Sequence, residues 1–290
     1  MKDYLIRATA YDSYVRAFAI SSKHTITEAI KKHGLNPLSA IVLGRGLMAV
    51  AILNSMNKGE NATTTLQIVG DGPMGGIVCI ADKKGTLKGY VKNNDYKSYE
   101  GKGSFGVGEC IGKGYINIIK DLHLKKPYSG MAPLQSGEIG DDLAYYFTTS
   151  EQIPSMVALG VKLNKDTTCD SGAGMVIQMM PGAPDNIIEE IEKKIYSMKS
   201  ATELIKKTKT PEGMLGYIFA KNNLNIIGKE QIQFKCNCSE KKMLQGIISL
   251  GKTELEKIVK EDDKIETVCS FCNSKYTFYR EQLKKELKGM

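Results

Sequence analysis

The sequence predicts an α+β protein with a large mixed N-terminal domain, a helical linker and a small C-terminal zinc-binding domain. Hydrophobic residues make up 42% of the chain, and the expected helices and strands do not follow a strict β-α-β order. The composition changes after Pro181 to a Lys- and Glu-rich segment, and four of the seven cysteines lie in the last fifth. The expected domains are therefore residues 1–180, 181–228 and 229–290.

The domain is expected to begin with a strand pair and a short helix. Residues 4–21 are rich in Tyr, Ile and Val, which favours two strands joined by a turn near Asp12 and Ser13. The helix that follows has Thr25 or Thr27 as its candidate cap.

A long apolar helix is predicted next, over residues 37–56. Asn36-Pro37 opens it, because proline is favoured at the first helical position. Arg45 lies at its middle, and an Arg at the centre of a membrane-spanning helix costs about 2.5–3.5 kcal/mol. We therefore expect a buried helix of a soluble protein, with Arg45 pairing with a carboxylate or a backbone carbonyl. The N-terminus lacks an apolar signal-peptide core, which predicts a cytoplasmic protein.

The rest of the domain is expected to contain short strands, tight turns and one further helix. The turn "GDGPMGG" lacks the Lys-Ser/Thr ending of a phosphate-binding loop, and we interpret it as a strand connection that needs positive φ angles. The predicted elements are a strand at 63–70, a hairpin over 77–93 about Lys84-Gly85, strands within 101–135, a helix in 136–155, and strands at 156–163 and 174–181 that return to the sheet.

The segment after Pro181 is predicted to be helical, with Asp185 or Asn186 as cap and a second helix from Thr210-Pro211. A helix with a narrow apolar stripe depends on its docking partner more than on its own propensity. Both an ordinary surface helix and a mobile linker fit the pattern. The stripe consists of Ile188, Ile191, Ile195, Met198 and Ile205.

The charge pattern does not favour nucleic acid as a partner. The net charge is +8, but residues 1–180 and 181–290 each carry 20 Lys+Arg and 16 Asp+Glu. The excess is spread evenly, without the basic arm or tail that marks phosphate binding.

The side chains that could do chemistry form no catalytic pattern along the chain. His24, His33 and His123 lie apart, near predicted helix ends or loops, and the adjacent Asp141 and Asp142 point to different helix faces. We expect no enzyme.

The C-terminal cysteines form the strongest functional signal. The pattern is Cys236-x-Cys238 followed by Cys269-x-x-Cys272, the second pair in a predicted hairpin turn. Four thiolates complete a tetrahedral zinc site without an open position for catalysis. A bare disulfide framework and an iron–sulfur cluster are the alternatives. Short helices are expected between the pairs, one with Thr253 and Glu256 at capping-box spacing.

The same cysteines permit redox chemistry. A disulfide between Cys236 and Cys238 would close a small, strained ring, and strained disulfides are the labile, regulatory kind. Zinc-bound thiolates are the form that peroxide attacks. A unit of about 60 residues is marginal on its own core, whereas zinc supplies about 10–16 kcal/mol to such folds. The spacing leaves both a redox switch and a plain zinc ribbon open.

Motifs spread along the chain resemble the heat shock protein 33 family of redox-regulated holdase chaperones. They are "LIRATA", "VRAFA", "LGRGL", "LQIVGDGPMGGI", "SGEIGDDLAYYF", "SEQIPS" and "FCNSKYTF" with the four terminal cysteines. The resemblance implies one zinc ion held by Cys236, Cys238, Cys269 and Cys272 in a reduced, poorly active form.

The family further implies that oxidation forms the disulfides Cys236–Cys238 and Cys269–Cys272, releases zinc and unfolds the switch domain and linker. The activated protein, a homodimer, would hold unfolded client proteins without ATP. Two rivals are a zinc ribbon that binds nucleic acid and a thiol oxidoreductase that uses Cys269 and Cys272. Cys79, Cys110 and Cys169 are expected to be small buried residues. The alternative is an exposed cysteine, which could form mixed or intermolecular disulfides and blur the switch.

Overall fold

The computed structural model has two compact units, Met1–Phe234 and Lys235–Met290. It confirms the predicted α+β class. The division into domains 1–180, 181–228 and 229–290 stays a prediction. The structure describes residues 2–59, 61–95, 106–219 and 224–289. Strands were predicted within residues 101–135, and the first five residues of that region, 101–105, lie outside the described residues.

The first unit combines strands and helices throughout its length. Its strands are β1 (Tyr4–Ala10), β2 (Val15–Ser21), β3 (Thr63–Gly70), β4 (Gly76–Asp82), β5 (Thr86–Val91), β6 (Gly114–Asp121), β7 (Tyr128–Pro133), β8 (Ser155–Leu163), β9 (Cys169–Met179), β10 (Leu224–Gln231) and β11 (Gln233–Phe234). Its helices are α1 (Lys23–His33), α2 (Pro37–Ser55), α3 (Val107–Ile111), α4 (Gly140–Ser150), α5 (Asp185–Tyr196), α6 (Ala201–Thr208) and α7 (Pro211–Ile218).

The strands of the first unit form two sheets. Sheet A has the order β10-β1-β2-β9-β8 and is antiparallel throughout. Sheet B has the order β11-β5-β4-β3-β6-β7, and its β11–β5 pair is parallel. The segments predicted to return to the sheet are indeed strands, β8 and β9, and they extend the sheet of the N-terminal hairpin through the pairing of β9 with β2.

The long helix α2 lies in the main core between the sheets. Asn36 caps it by accepting a hydrogen bond from the Ser39 N–H, and Pro37 is its first residue, as predicted. It is the one helix in the described part of the chain with the length and hydropathy of a membrane span, but 89% of its most apolar window is buried inside the protein. Arg45 binds Glu138 at 2.5 Å, which confirms the predicted carboxylate partner.

The helices after Pro181 cover the outer face of sheet A. We call this surface the linker-covered face; it consists of Ile6, Ala8, Ala17, Ala19 and Met175. Buried side chains of α7 (Met214, Leu215 and Ile218) and of α6 (Leu204 and Ile205) pack into the same cluster. The small alanines let these helices approach the strands closely. Sheet A therefore lies between α2 on one face and α6 and α7 on the other.

Several local predictions need correction. The predicted stripe is split between α5 and α6, since the chain leaves the helix at Ser197 and Ser200 caps α6. Ile187 packs against the cluster with Ile191 and Ile195, in place of Ile188. The residue before α5 is Pro184, so neither Asp185 nor Asn186 is its cap.

Other helix ends also differ from the predictions. The residue before α1 is Ser22, not Thr25 or Thr27. The helix predicted in 136–155 is limited to α4, where Asp142 is buried and accepts hydrogen bonds from the N–H groups of Gln135 and Ile139. The turn after β3 has positive φ at Gly75 and Gly76, as predicted.

The second unit is small and has a small core. It contains α8 (Glu240–Ile248), α9 (Lys252–Glu261), β12 (Lys264–Val268), β13 (Lys275–Tyr279) and α10 (Arg280–Lys288), with β12 and β13 paired as an antiparallel hairpin. α9 follows Gly251 directly, so the predicted capping box at Thr253 and Glu256 is wrong. The buried apolar residues of this unit's core are Ile247, Leu255, Val259, Phe278 and Leu283.

Candidate metal centre

Two structural elements of the second unit present the four clustered cysteines. Cys236 and Cys238 lie in a segment without regular secondary structure that ends where Ser239 caps α8 by accepting the Lys242 N–H. Cys269 and Cys272 lie in the turn of the β12–β13 hairpin, as predicted. The turn closes with the Cys269 N–H donating to the Ser274 carbonyl at 2.9 Å.

The four sulfur atoms form one compact cluster, with every pair within 4.8 Å. The Sγ atoms of Cys236 and Cys269 are 3.8 Å apart, and those of Cys238 and Cys272 are 3.3 Å apart. In a tetrahedral zinc site with Zn–S bonds of about 2.3 Å, neighbouring sulfurs are about 3.8 Å apart. One observed distance matches this value and the other is about 0.5 Å shorter, so the arrangement fits a single metal ion.

The donor set selects a class of metal. Four thiol sulfurs without a carboxylate among them favour soft or borderline ions such as zinc over magnesium or calcium. Four protein ligands would fill a tetrahedral ion completely and leave no position for a substrate. Cys269 and Cys272 are buried and Cys236 and Cys238 are half-buried, so the second pair forms the inner side of the cluster.

The thiols differ in how readily they ionise. Burial raises the pKa of Cys236 to about 12 and also raises the pKa of Cys269. Burial opposes ionisation of Cys272 too, but hydrogen bonding to Ser274 and the neighbouring sulfurs outweighs it and lowers that pKa to about 7. Cys272 is therefore the first of these three thiols to reach the thiolate form that a metal requires.

Two residues that the sequence analysis missed contact the sulfurs. The Tyr276 hydroxyl donates to Cys238 Sγ at 3.0 Å, and Ser274 Oγ lies 3.2 Å from Cys272 Sγ. Tyr276 also shares a face of β13 with the buried Phe278. The period-2 alternation of a strand was the available signal, because it places Tyr276 on the inward face.

The remaining cysteines lie apart from the cluster. Cys79, Cys110 and Cys169 are all buried in the first unit, as predicted. Burial raises the pKa of Cys169 to about 12 and that of Cys79 still further. These thiols are therefore poor nucleophiles in the folded protein.

The fold and the site together define an α+β protein with a C-terminal four-cysteine centre. The family model described as "Hsp33 protein" matches residues 3–279. The chain is 44% identical to a 33 kDa chaperonin of Caldanaerobacter subterraneus subsp. tengcongensis, over 99% of both chains. It is 42% identical to a 33 kDa chaperonin of Acetivibrio thermocellus, over 99% of this chain and 98% of the relative.

A solved structure shows the same fold. The crystal structure of the 33 kDa chaperonin (heat shock protein 33 homolog) from Thermotoga maritima matches with a TM-score of 0.92 at 33% identity, over 100% of this chain and 99% of that one. The chain belongs to the Hsp33 family of chaperones.

Proposed function

We propose that this protein is an oxidation-activated, ATP-independent holdase whose reduced form holds one zinc ion through Cys236, Cys238, Cys269 and Cys272. The single observation that supports it best is the compact four-sulfur cluster, with every Sγ pair within 4.8 Å. The ion would supply structural cross-linking of two chain segments, since four thiolates leave no catalytic position.

The chemical step is oxidation of each cysteine pair. As thiolates, Cys236 and Cys238 together lose two electrons to form one disulfide, and hydrogen peroxide accepts these electrons with two protons from the solvent and becomes two waters. Cys269 and Cys272 react in the same way with a second peroxide. A disulfide sulfur carries no thiolate charge, so both steps remove metal ligands.

The size of the second unit's core explains why ligand loss has a large effect. Its buried apolar cluster consists of five residues around Phe278. Units this small usually need a metal or disulfides for stability. Because metal binding contributes about 10–16 kcal/mol in comparable small folds, oxidation is expected to unfold residues 235–290.

The linker-covered face is our candidate for the surface that activation exposes. It consists of apolar residues of sheet A that α6 and α7 bury. The chain continues from β10 and β11 into the Cys236 segment, so unfolding there frees the chain next to sheet A. Undocking of α6 and α7 would create a large apolar patch, and such patches bind other proteins. Unfolded client proteins are the proposed partners, and the active form is proposed to be a homodimer in the cytoplasm.

The test compares zinc release with suppression of client aggregation. Reduced, zinc-loaded protein is treated with peroxide, zinc is followed with a chelating dye, and light scattering of a chemically unfolded client is recorded. We expect zinc release and suppressed aggregation to appear together and to be reversed by a thiol reductant. The variant C110A, which changes a cysteine outside the cluster, should behave like the wild type. Aggregation suppressed equally by reduced and oxidised protein would contradict the proposal.

A further inference from the structure

The first unit has an open cavity of about 290 Å³ on the side of sheet A where α6 lies near the start of α1. Its lining comes from segments that are far apart in the sequence. The residues that matter for its chemistry are Lys2, Lys23, His24, Ser171, Lys206 and Lys209.

The cavity has an excess of positive charge. Its two carboxylates are already engaged: Asp3 accepts the Thr25 N–H at 2.6 Å, and Asp170 forms an ion pair with Lys206. Lys2, Lys23 and Lys209 line the same space. Within the described ranges, no carboxylate lies at salt-bridge distance from these three ammonium groups. Four ammonium groups therefore face two carboxylates around this cavity, which leaves an excess of two positive charges.

Ser171 adds an unused hydrogen-bonding group. It is 7% exposed and lines the cavity, and its Oγ has no hydrogen-bond partner in the described part of the protein. A buried hydroxyl without a partner is unfavourable, so a partner supplied by a ligand would be favoured.

The start of α1 faces the same space. Lys23 and His24 are its first two residues, and the side chain of Ser22 makes no capping hydrogen bond. Asp3 takes only the third N–H group of the helix, at Thr25. Helix N-termini favour anions through their free N–H groups and the helix dipole.

We propose that this cavity binds the phosphate group of a small anionic molecule. The Ser171 hydroxyl and the first N–H groups of α1 would donate to the phosphate oxygens, and Lys2, Lys23 and Lys209 would neutralise the charge. The volume of about 290 Å³ lies just below the usual range of about 300–1,000 Å³ for small-molecule sites, which suits inorganic phosphate, pyrophosphate or a compact phosphate ester.

Occupancy would link α6 to the rest of the unit. Lys206 and Lys209 belong to α6 and its C-terminal cap, whereas Lys23 and Ser171 belong to α1 and β9. An anion held by both groups strengthens the docking of α6 on sheet A. This regulatory consequence rests on the proposed function, in which α6 undocks on activation; the binding site itself does not.

Binding is tested directly on reduced, zinc-loaded full-length protein. Isothermal titration with inorganic phosphate and with pyrophosphate is carried out at constant ionic strength, with chloride as the matched anion. We expect saturable binding in the wild type. In S171A the dissociation constant should rise about tenfold, because about that much affinity is lost with one hydrogen bond to a charged group. The double variant K23A/K209A should weaken it further, and K194A, which removes an exposed lysine of α5, should not.

The thermal stability of S171A separates a ligand role from a structural one. Without anion, S171A should be as stable as the wild type or more stable, because it removes an unpaired buried hydroxyl. At a phosphate concentration near the dissociation constant of the wild type, the wild type and K194A should gain clearly more in melting temperature than S171A. Absence of saturable binding up to about 10 mM, or equal affinities for the wild type, S171A and K23A/K209A, would overturn the proposal.

The regulatory consequence has a separate readout. If phosphate binds, it should slow peroxide activation of client protection in the wild type and not in K23A/K209A. Binding without any oxidation-dependent client protection would refute the holdase proposal and leave the site intact. Client protection without phosphate binding would refute the site alone.

Discussion

The hydroxyl of Tyr276 donates a hydrogen bond to Sγ of Cys238 across 3.0 Å. The hydrogen bond to Cys238 raises the pKa of Tyr276 to about 12, and a donor in this position would stabilise Cys238 as a metal-bound thiolate. It also joins β13 to the segment that carries the first cysteine pair. Tyr276 therefore connects β13, which contributes Phe278 to the small core, with a sulfur atom of the cluster.

We expect Y276F to hold zinc more weakly and to lose it faster to peroxide. Removing a group that hydrogen-bonds to a metal ligand typically lowers metal affinity about 10–100-fold, and a thiolate without its donor is a stronger nucleophile. Zinc affinity is measured by competition with a chelating dye, and the rate of zinc release is measured after rapid mixing with peroxide. Y279F is the matched control, because Tyr279 is exposed at the end of the same strand. Equal affinities and rates in all three proteins would show that the hydrogen bond has no influence.

Chelation of the metal is expected to unfold the second unit while the two sheets of the first unit stay folded. The five-residue core around Phe278 is small, whereas sheet A and sheet B enclose two much larger buried clusters. Hydrogen exchange before and after chelation under reducing conditions should show lost protection in α9 and β13. Protection in β2 and β9 should persist. Retained protection in β13 after complete zinc removal would mean that the core suffices without metal.

The sequence predicts the cysteine cluster well because its pattern is local. Cys269 and Cys272 occupy one hairpin turn, and close spacing along the chain directly limits where their sulfurs can lie. Tyr276 and Ser274 were missed because their role depends on which strand face turns toward the first pair. That orientation is settled by packing of Phe278, which spacing alone does not reveal.

The sheet arrangement was less predictable because it depends on pairing between distant segments. β10 spans the predicted end of the linker at residue 228. It pairs with β1, where Leu5 lies opposite Glu230. Its residues Ile226 and Ile227 are exposed, so the strand lacks the alternation that marks a half-buried strand. The backbone hydrogen bonds of an edge strand hold it in place instead.

The three cysteines of the first unit are expected to resist alkylation in the folded protein. Cys79 and Cys169 are buried and burial raises their pKa values, so little thiolate is available for iodoacetamide. Mass spectrometry of reduced, zinc-loaded protein should find no label on Cys79, Cys110 or Cys169. Denatured protein supplies the positive control, since all seven cysteines should then react. Rapid labelling of Cys110 in the folded protein would reveal a local opening of α3.

Glu212 is expected to make docking of α7 sensitive to acid. Burial opposes its ionisation, but hydrogen bonds from Tyr4, from its own backbone N–H and from Lys229 outweigh burial and lower its pKa below the ordinary 4.5. A carboxylate with a lowered pKa stabilises the fold above its unfolded pKa, and this stability is lost as the pH falls through the folded pKa.

E212Q should therefore remove part of the acid sensitivity of the first unit. Because the Lys229–Glu212 pair is partly exposed, its effect is expected to be at most about 1 kcal/mol. Denaturant titrations from pH 6 to about pH 3 give the free energy of unfolding, and E192Q, on the exposed side of α5, is the matched control. If the free energy of unfolding changes with pH equally in E212Q and in the wild type, Glu212 is excluded as the acid-sensitive group.

Weakening the helices that cover sheet A should activate the reduced protein without oxidant. Leu215 is fully buried between α7 and sheet A, and truncating such a residue to Ala costs about 2–5 kcal/mol. L215A should raise the population with an uncovered linker-covered face, which is read as binding of a hydrophobic dye and suppressed client aggregation under reducing, zinc-saturated conditions. L143A removes an equally buried leucine from α4, in the other cluster, and so matches the loss of core volume without loosening α6 or α7. If both variants protect clients equally, general destabilisation is the cause; protection by L215A alone assigns the client surface to the linker-covered face.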